Sequence, residues 1–141
     1  MYKNFVNEYE GFVKKLNLTL KNYVNMSDFP SLYKPIQYIL SSEGKRLRPF
    51  LFYLSSKVYN VPNDKIFQLA LSVEMLHCFS LVHDDIMDED DLRHGQETIH
   101  KKWDLSTAML VGDAIFALVY KNINELNNTK KVLDAFSKET I

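Results

Sequence analysis

Asp84-Asp85-Ile86-Met87-Asp88-Glu89-Asp90-Asp91 places six carboxylates within eight residues. The apolar periodicity leading into this run reads as a helix, which puts Asp84 and Asp88 one turn apart on the same face. His77 lies two turns back on nearly the same stripe, with Ser80 between. The acids fall at the C-terminal end of that helix, where the macrodipole favours cations, and like charges one turn apart repel. A bound cation resolves both conflicts. Oxygen donors without thiolates or a dense histidine cluster favour Mg²⁺ or Ca²⁺ over zinc or copper. The glycine-turned spacing of an EF-hand is absent, and two carboxylates completed by water and phosphate suit Mg²⁺ better. A solvated acidic helix end is the plain alternative; the apolar character of the preceding helix weighs against it.

Gly44-Lys45-Arg46-Leu47-Arg48-Pro49 carries the opposite misfit, three cations at the start of a helix where the dipole is already positive. An anion held by those side chains and by free backbone N–H groups relieves it, and diphosphate is a natural candidate. The spacing is not that of a Walker loop, and a solvent-facing basic turn is the competing reading. Two opposite misfits in one small chain suggest one shared ligand, Mg²⁺ with diphosphate. The aspartate row is then expected to face the lysine–arginine corner.

The elements that must hold these clusters are helical. Phe5, Phe12, Val13, Leu16, Leu20 and Val24 space an amphipathic helix from Tyr2 to about Val24. Ser27-Asp28-Phe29-Pro30 breaks it, and a second helix runs to Leu40, with Pro35 delaying or kinking its start. A third opens at the basic turn, with Pro49 suited to its first turn, and ends near Val58. After Asn60-Val61-Pro62-Asn63 the longest helix, about Asp64 to Asp88, is apolar nearly all round and should lie in the interior. A polar loop from Asp90 to Asp104 precedes a helix from Leu105 to Asn122 and another from Lys130 to Ile141. That last pattern stops without a closing glycine or asparagine, so more protein is expected to follow. Asp113, inside an apolar helix, is expected to be buried and paired.

Composition bounds the rest. With 46% hydrophobic residues and only four glycines and four prolines, 141 residues suit one globular helical domain rather than a disordered or all-β chain. A net charge of −1 gives no reason to expect nucleic acid as partner. Cys78 is the only cysteine, which excludes a disulfide framework or a CxxC zinc site, and it should pack as a small apolar group. No secretory signal and no apolar run of spanning length is apparent, so stable membrane insertion is not expected and a cytoplasmic location is.

Taken together, GKRLRP, then His77 ahead of HDDIMDEDDLRHG, then QETIH and GDAIFAL, resemble the trans-prenyl diphosphate synthases over about Gly44 to Asn122. The resemblance implies an all-α isoprenoid-synthase bundle around an apolar cavity, of which residues 1–141 are the N-terminal part and the C-terminal half is absent. It implies that Asp84 and Asp88 bind Mg²⁺ bridging an allylic diphosphate, that Asp85 supports that site and that Arg93 contacts the same diphosphate. Lys45, Arg48 and His77 would hold isopentenyl diphosphate. His94 stands where the family usually has a second arginine; imidazole is only partly protonated at neutral pH, so that binding is expected to be weaker or pH-sensitive. The implied reaction is head-to-tail condensation: the allylic C–O bond ionises, the cation alkylates isopentenyl diphosphate, and a proton leaves.

The family's bulky positions four and five residues before the first aspartate, here Ser80 and Phe79, suggest a C20 product, with C15 next. Helix geometry puts Ser80, not Phe79, on the Asp84 face. The second aspartate-rich motif should lie beyond Ile141, so the half-chain alone is expected to be inactive. The alternatives are one subunit of a split synthase or a non-catalytic diphosphate-binding or regulatory subunit. The family's homodimer, or pairing with a missing C-terminal half, is the expected assembly.

Overall fold

The computed structural model describes residues 2–28, 30–59, 62–126 and 129–140. The expected breaks at Phe29 and at residues 60–61, and the end of the last helix at residue 141, lie outside them. Helices dominate: α1 (Tyr2–Lys21), α2 (Tyr33–Leu40), α3 (Leu47–Lys57), α4 (Asn63–Met87), the short α5 (Ile99–Lys102), α6 (Leu105–Asn124) and α7 (Thr129–Thr140).

Local chemistry explains the boundaries. Phe12, Leu16 and Leu20 recur every four residues along α1, and with Val24 just beyond it they bury against the bundle. Fully burying each such leucine contributes about 1.5–3 kcal/mol. Pro35 and Pro49 occupy the first turns of α2 and α3, where a missing N–H leaves no bond unmade; α2 begins only at Tyr33, later than Pro30 or Ser31, the delayed start that Pro35 suggested. Asp104 caps α6: one carboxylate oxygen accepts from Thr107 N and the other from Thr107 Oγ1, both at 2.7 Å.

α4 is the central element, packed mainly on α6 and α3. By length and mean hydropathy it could cross a membrane, though Gln68, Ser72, Glu74, His77 and Ser80 interrupt its apolar run. Its packing and its row of Glu74, His77, Asp84 and Asp85 mark it as the core helix of the bundle. Close approach of α6 depends on Gly112, since a Cβ there would sit 2.1 Å from His83 Cε1. Farther along the same pair, Asn122 Nδ2 donates to Gln68 O (2.8 Å) and Ser72 Oγ (2.7 Å), and Gln68 Nε2 donates back to Asn122 O (2.9 Å). Asp113 is exposed, contrary to expectation: the buried side of α6 runs through Val111, Gly112 and Ile115, and Asp113 points off it. Cys78 is buried, as its type suggested, and burial pushes its thiol up to about 12.

The polar segment after α4 is more ordered than its composition implied. It holds a two-stranded antiparallel hairpin, β1 (Leu92–Arg93) and β2 (Gln96–Glu97), with Leu92 opposite Glu97 and Arg93 opposite Gln96, and then α5. His94 and Gly95 form the turn, both with positive φ (50° and 79°), the type I′ geometry that matches strand twist.

Candidate anion and metal site

The strand-like hairpin is clamped against the helices. Asp90 N donates to Asp85 O at 3.0 Å, Thr98 Oγ1 to Asp90 O at 2.7 Å, and Tyr38 Oη on α2 to Glu97 O at 2.9 Å. Between it and the N-termini of α3 and α4's middle lies a half-open cleft of about 810 Å³. Lys45, Arg48, His77, Arg93 and His94 all line it, above an apolar floor that includes Ile39, Cys78, Leu81 and Ile99. Five residues singled out from three separate segments of sequence therefore share one cleft.

The basic turn is divided in its duties. Arg46 also borders the cleft but is engaged by the protein; it is buried, and its Nη1 meets Glu74 Oε1 at 2.6 Å. Its Nε donates to Asn17 Oδ1 at 2.8 Å and its Nη2 to Ser42 O. Its backbone is left-handed, φ 49°, a conformation a bulky residue keeps only when its surroundings over-determine it. These partners do so. Locking Arg46 inward leaves its neighbours Lys45 and Arg48 exposed at the cleft. Sequence reasoning missed Glu74, whose signal was available: a lone carboxylate in a stretch otherwise apolar needs a buried cation.

Arg48 Nη1 lies 3.1 Å from His77 Nε2. A guanidinium only donates, so Nε2 is the acceptor and the ring is neutral with its proton on Nδ1. Burial first, and then the Arg48 charge, hold His77 below its ordinary value of 6.5; Glu74 pulls the other way, and Arg46 and Arg93 add to the depression. A bound diphosphate would raise it, so binding takes up a proton. Affinity should therefore rise as pH falls from above neutrality towards the free-state value, and level off below it. Calorimetry with pyrophosphate, comparing the chain with His77→Gln across pH 5.5–8.5, checks this; the variant should lose that part of the slope.

The acidic run is divided too. Asp84 and Asp88 are exposed and do not line the cleft, whereas Asp85 is buried, lines it, and accepts from Arg93 Nε. The expectation that the whole row faces the lysine–arginine corner thus holds for Asp85 alone. Asp88 caps α4, its N–H bonded to Asp84 O at 2.8 Å, which keeps the two exposed carboxylates one turn apart. Among the described residues no three His, Cys, Asp or Glu side chains gather into a closed metal site. That donor set fits Mg²⁺ held by two carboxylates with water and phosphate oxygens, and does not fit a many-ligand Ca²⁺ cage or a tetrahedral zinc site.

The profile of the polyprenyl synthetase family matches residues 29–141. The chain belongs to the polyprenyl synthetase family. Its relatives include the geranylgeranyl diphosphate synthase of Sulfolobus acidocaldarius, 36% identical over 86% of this chain and 36% of the relative. The farnesyl diphosphate synthase of Escherichia coli is 35% identical over 86% of this chain and 42% of that enzyme. The crystal structure of geranylgeranyl pyrophosphate synthetase from Pyrococcus horikoshii superposes with a TM-score of 0.86 at 27% identity, covering 97% of this chain and 43% of that one. This polyprenyl synthetase chain thus has the mostly helical isoprenoid-synthase fold and spans about two fifths of the length of the relatives it matches. The family is one of Mg²⁺-dependent prenyltransferases.

Proposed function

We propose that this chain is the N-terminal, substrate-holding part of a head-to-tail prenyl diphosphate synthase that joins an allylic diphosphate to isopentenyl diphosphate. The observation that carries the reading is the cleft in which Lys45, Arg48, His77, Arg93 and His94 converge from three elements. Lys45 and Arg48 supply fixed positive charge for the diphosphate of isopentenyl diphosphate, and His77 joins them on proton uptake. His94, at the tip of the hairpin, borders the same anion. Arg93 would contact the allylic diphosphate, and Asp84 and Asp88, which lie outside the cleft's lining on either side of Asp85 in sequence, would hold Mg²⁺. The chemistry the cation supplies when bound is neutralisation of the leaving diphosphate. Condensation then breaks the allylic C–O bond, forms a C–C bond to isopentenyl diphosphate and releases one proton; the apolar helices keep water from the carbocation.

A C15–C20 product fits the names of the Sulfolobus acidocaldarius and Escherichia coli relatives. The second aspartate-rich motif comes from the remaining part of the domain, whether on a longer chain or on a partner, and the assembly is a homodimer or a pairing with that part. The cytoplasm is the compartment implied by soluble diphosphate substrates. The 141-residue chain, purified alone, should bind pyrophosphate more tightly with Mg²⁺ than without, and show no or very low transfer from C10 or C15 allylic diphosphates to isopentenyl diphosphate. Failure to bind pyrophosphate overturns the site; robust turnover overturns the division of the catalytic apparatus.

A further inference from the structure

We propose that Asp85 is a positioning residue that aims the Arg93 guanidinium into the cleft, and that it acts through Arg93 rather than as a ligand of the metal. The inference rests on the diphosphate reading of the cleft. Asp84, Asp85 and Asp88 are close in sequence, yet only Asp85 turns inward: it is 3% exposed, whereas Asp84 and Asp88 are open to solvent. Successive helical residues are rotated by about 100°, so the face that presents Asp84 and Asp88 outward carries Asp85 under the hairpin.

Asp85 then holds the segment bearing Arg93 in two ways. Its main-chain carbonyl accepts from Asp90 N at 3.0 Å, fixing where the chain leaves α4. Its Oδ1 accepts from Arg93 Nε. Arg93 Nη2 reaches Asp90 Oδ2 at 3.4 Å, a longer and weaker contact. Among the described residues Nη1 has no protein acceptor, which leaves that edge of the guanidinium to an anion in the cleft that Arg93 lines. A carboxylate bonded to Nε is the arrangement that fixes the plane of a guanidinium while keeping its far edge for a ligand.

The test is a double-mutant cycle read by calorimetry with pyrophosphate, once in chelator and once in excess Mg²⁺, with circular dichroism melts to verify folding. In chelator, Asp85→Ala and Arg93→Gln should each weaken binding about tenfold or more, the scale of one charge-assisted hydrogen bond. The double variant should be no weaker than Arg93→Gln alone. Asp85→Asn keeps an oxygen for Nε–H and should restore most of the affinity. It should also keep the gain in affinity that Mg²⁺ brings. Should Asp85→Ala fail to fold, Asp85→Ser completes the cycle. Additive losses in the double variant, or an Asp85→Asn chain that loses the Mg²⁺ gain while its chelator affinity stands, overturn the proposal. No pyrophosphate binding by the unaltered chain overturns it as well, and that result, unlike the others, takes the cleft reading with it.

Discussion

Glu74→Ala should cost the chain about 3–5 kcal/mol, a large share of the roughly 5–15 kcal/mol that stabilises a typical domain. The side chains of Arg46 and Glu74 are 4% and 5% exposed, so removing the carboxylate strands a guanidinium away from water. Asn17 Oδ1 and Ser42 O still accept from Arg46, yet neither carries a charge. Breaking one side of a buried pair is far more damaging than replacing both sides, because the loss is mostly the desolvation of the survivor. Glu74→Gln, which keeps an acceptor oxygen, should lose less. Arg46→Met with Glu74→Leu should be milder than Glu74→Ala. Urea melts of the three variants against the parent chain decide the order; a Glu74→Ala chain within 1 kcal/mol of the parent would rule out the pair as a structural support.

Asp84→Ala with Asp88→Ala should abolish the Mg²⁺ enhancement of pyrophosphate binding, a loss of roughly 10- to 100-fold in affinity at saturating Mg²⁺. The sign should reverse without the metal. Two exposed anions beside an anion site repel an incoming diphosphate, so in chelator the double variant should bind pyrophosphate as well as the parent or slightly better. This opposition of signs separates a metal-holding pair from residues that merely maintain the fold, whose loss would weaken binding in both conditions. Titrations with and without Mg²⁺ on one preparation make the comparison. An enhancement by Mg²⁺ that survives in the double variant would remove these carboxylates from the metal site.

Helices, their proline-marked starts and the apolar central helix were legible because each follows from periodicity or from a missing N–H, both local properties. The hairpin was not, since strands of two residues, Leu92–Arg93 and Gln96–Glu97, are too short to show alternation, and the turn signal His94-Gly95 sat in a run of charges. The clusters of charge were legible as clusters but not in their internal division. Nothing in the order Lys45-Arg46-Leu47-Arg48 says that the middle cation turns inward; that follows from a left-handed residue at the helix start and from Glu74, 28 positions away. One-turn spacing did set Asp84 and Asp88 apart from Asp85, but not that Arg93 folds back over Asp85. Asp113 differs for the opposite reason: a polar residue in an apolar helix reads as enclosed, whereas α6 has an open side.

Arg46 ties together Asn17 of α1, Ser42 beyond α2 and Glu74 of α4. Two helices and the segment after α2 thereby meet at a single joint behind Lys45 and Arg48, which line the cleft. They cannot loosen one after another: a fluctuation that frees any of them must release all three, so the joint should open as one cooperative unit. The backbone that carries Lys45 and Arg48 is therefore fixed when the chain folds, so an anion arriving at the cleft would have only their exposed side chains to order.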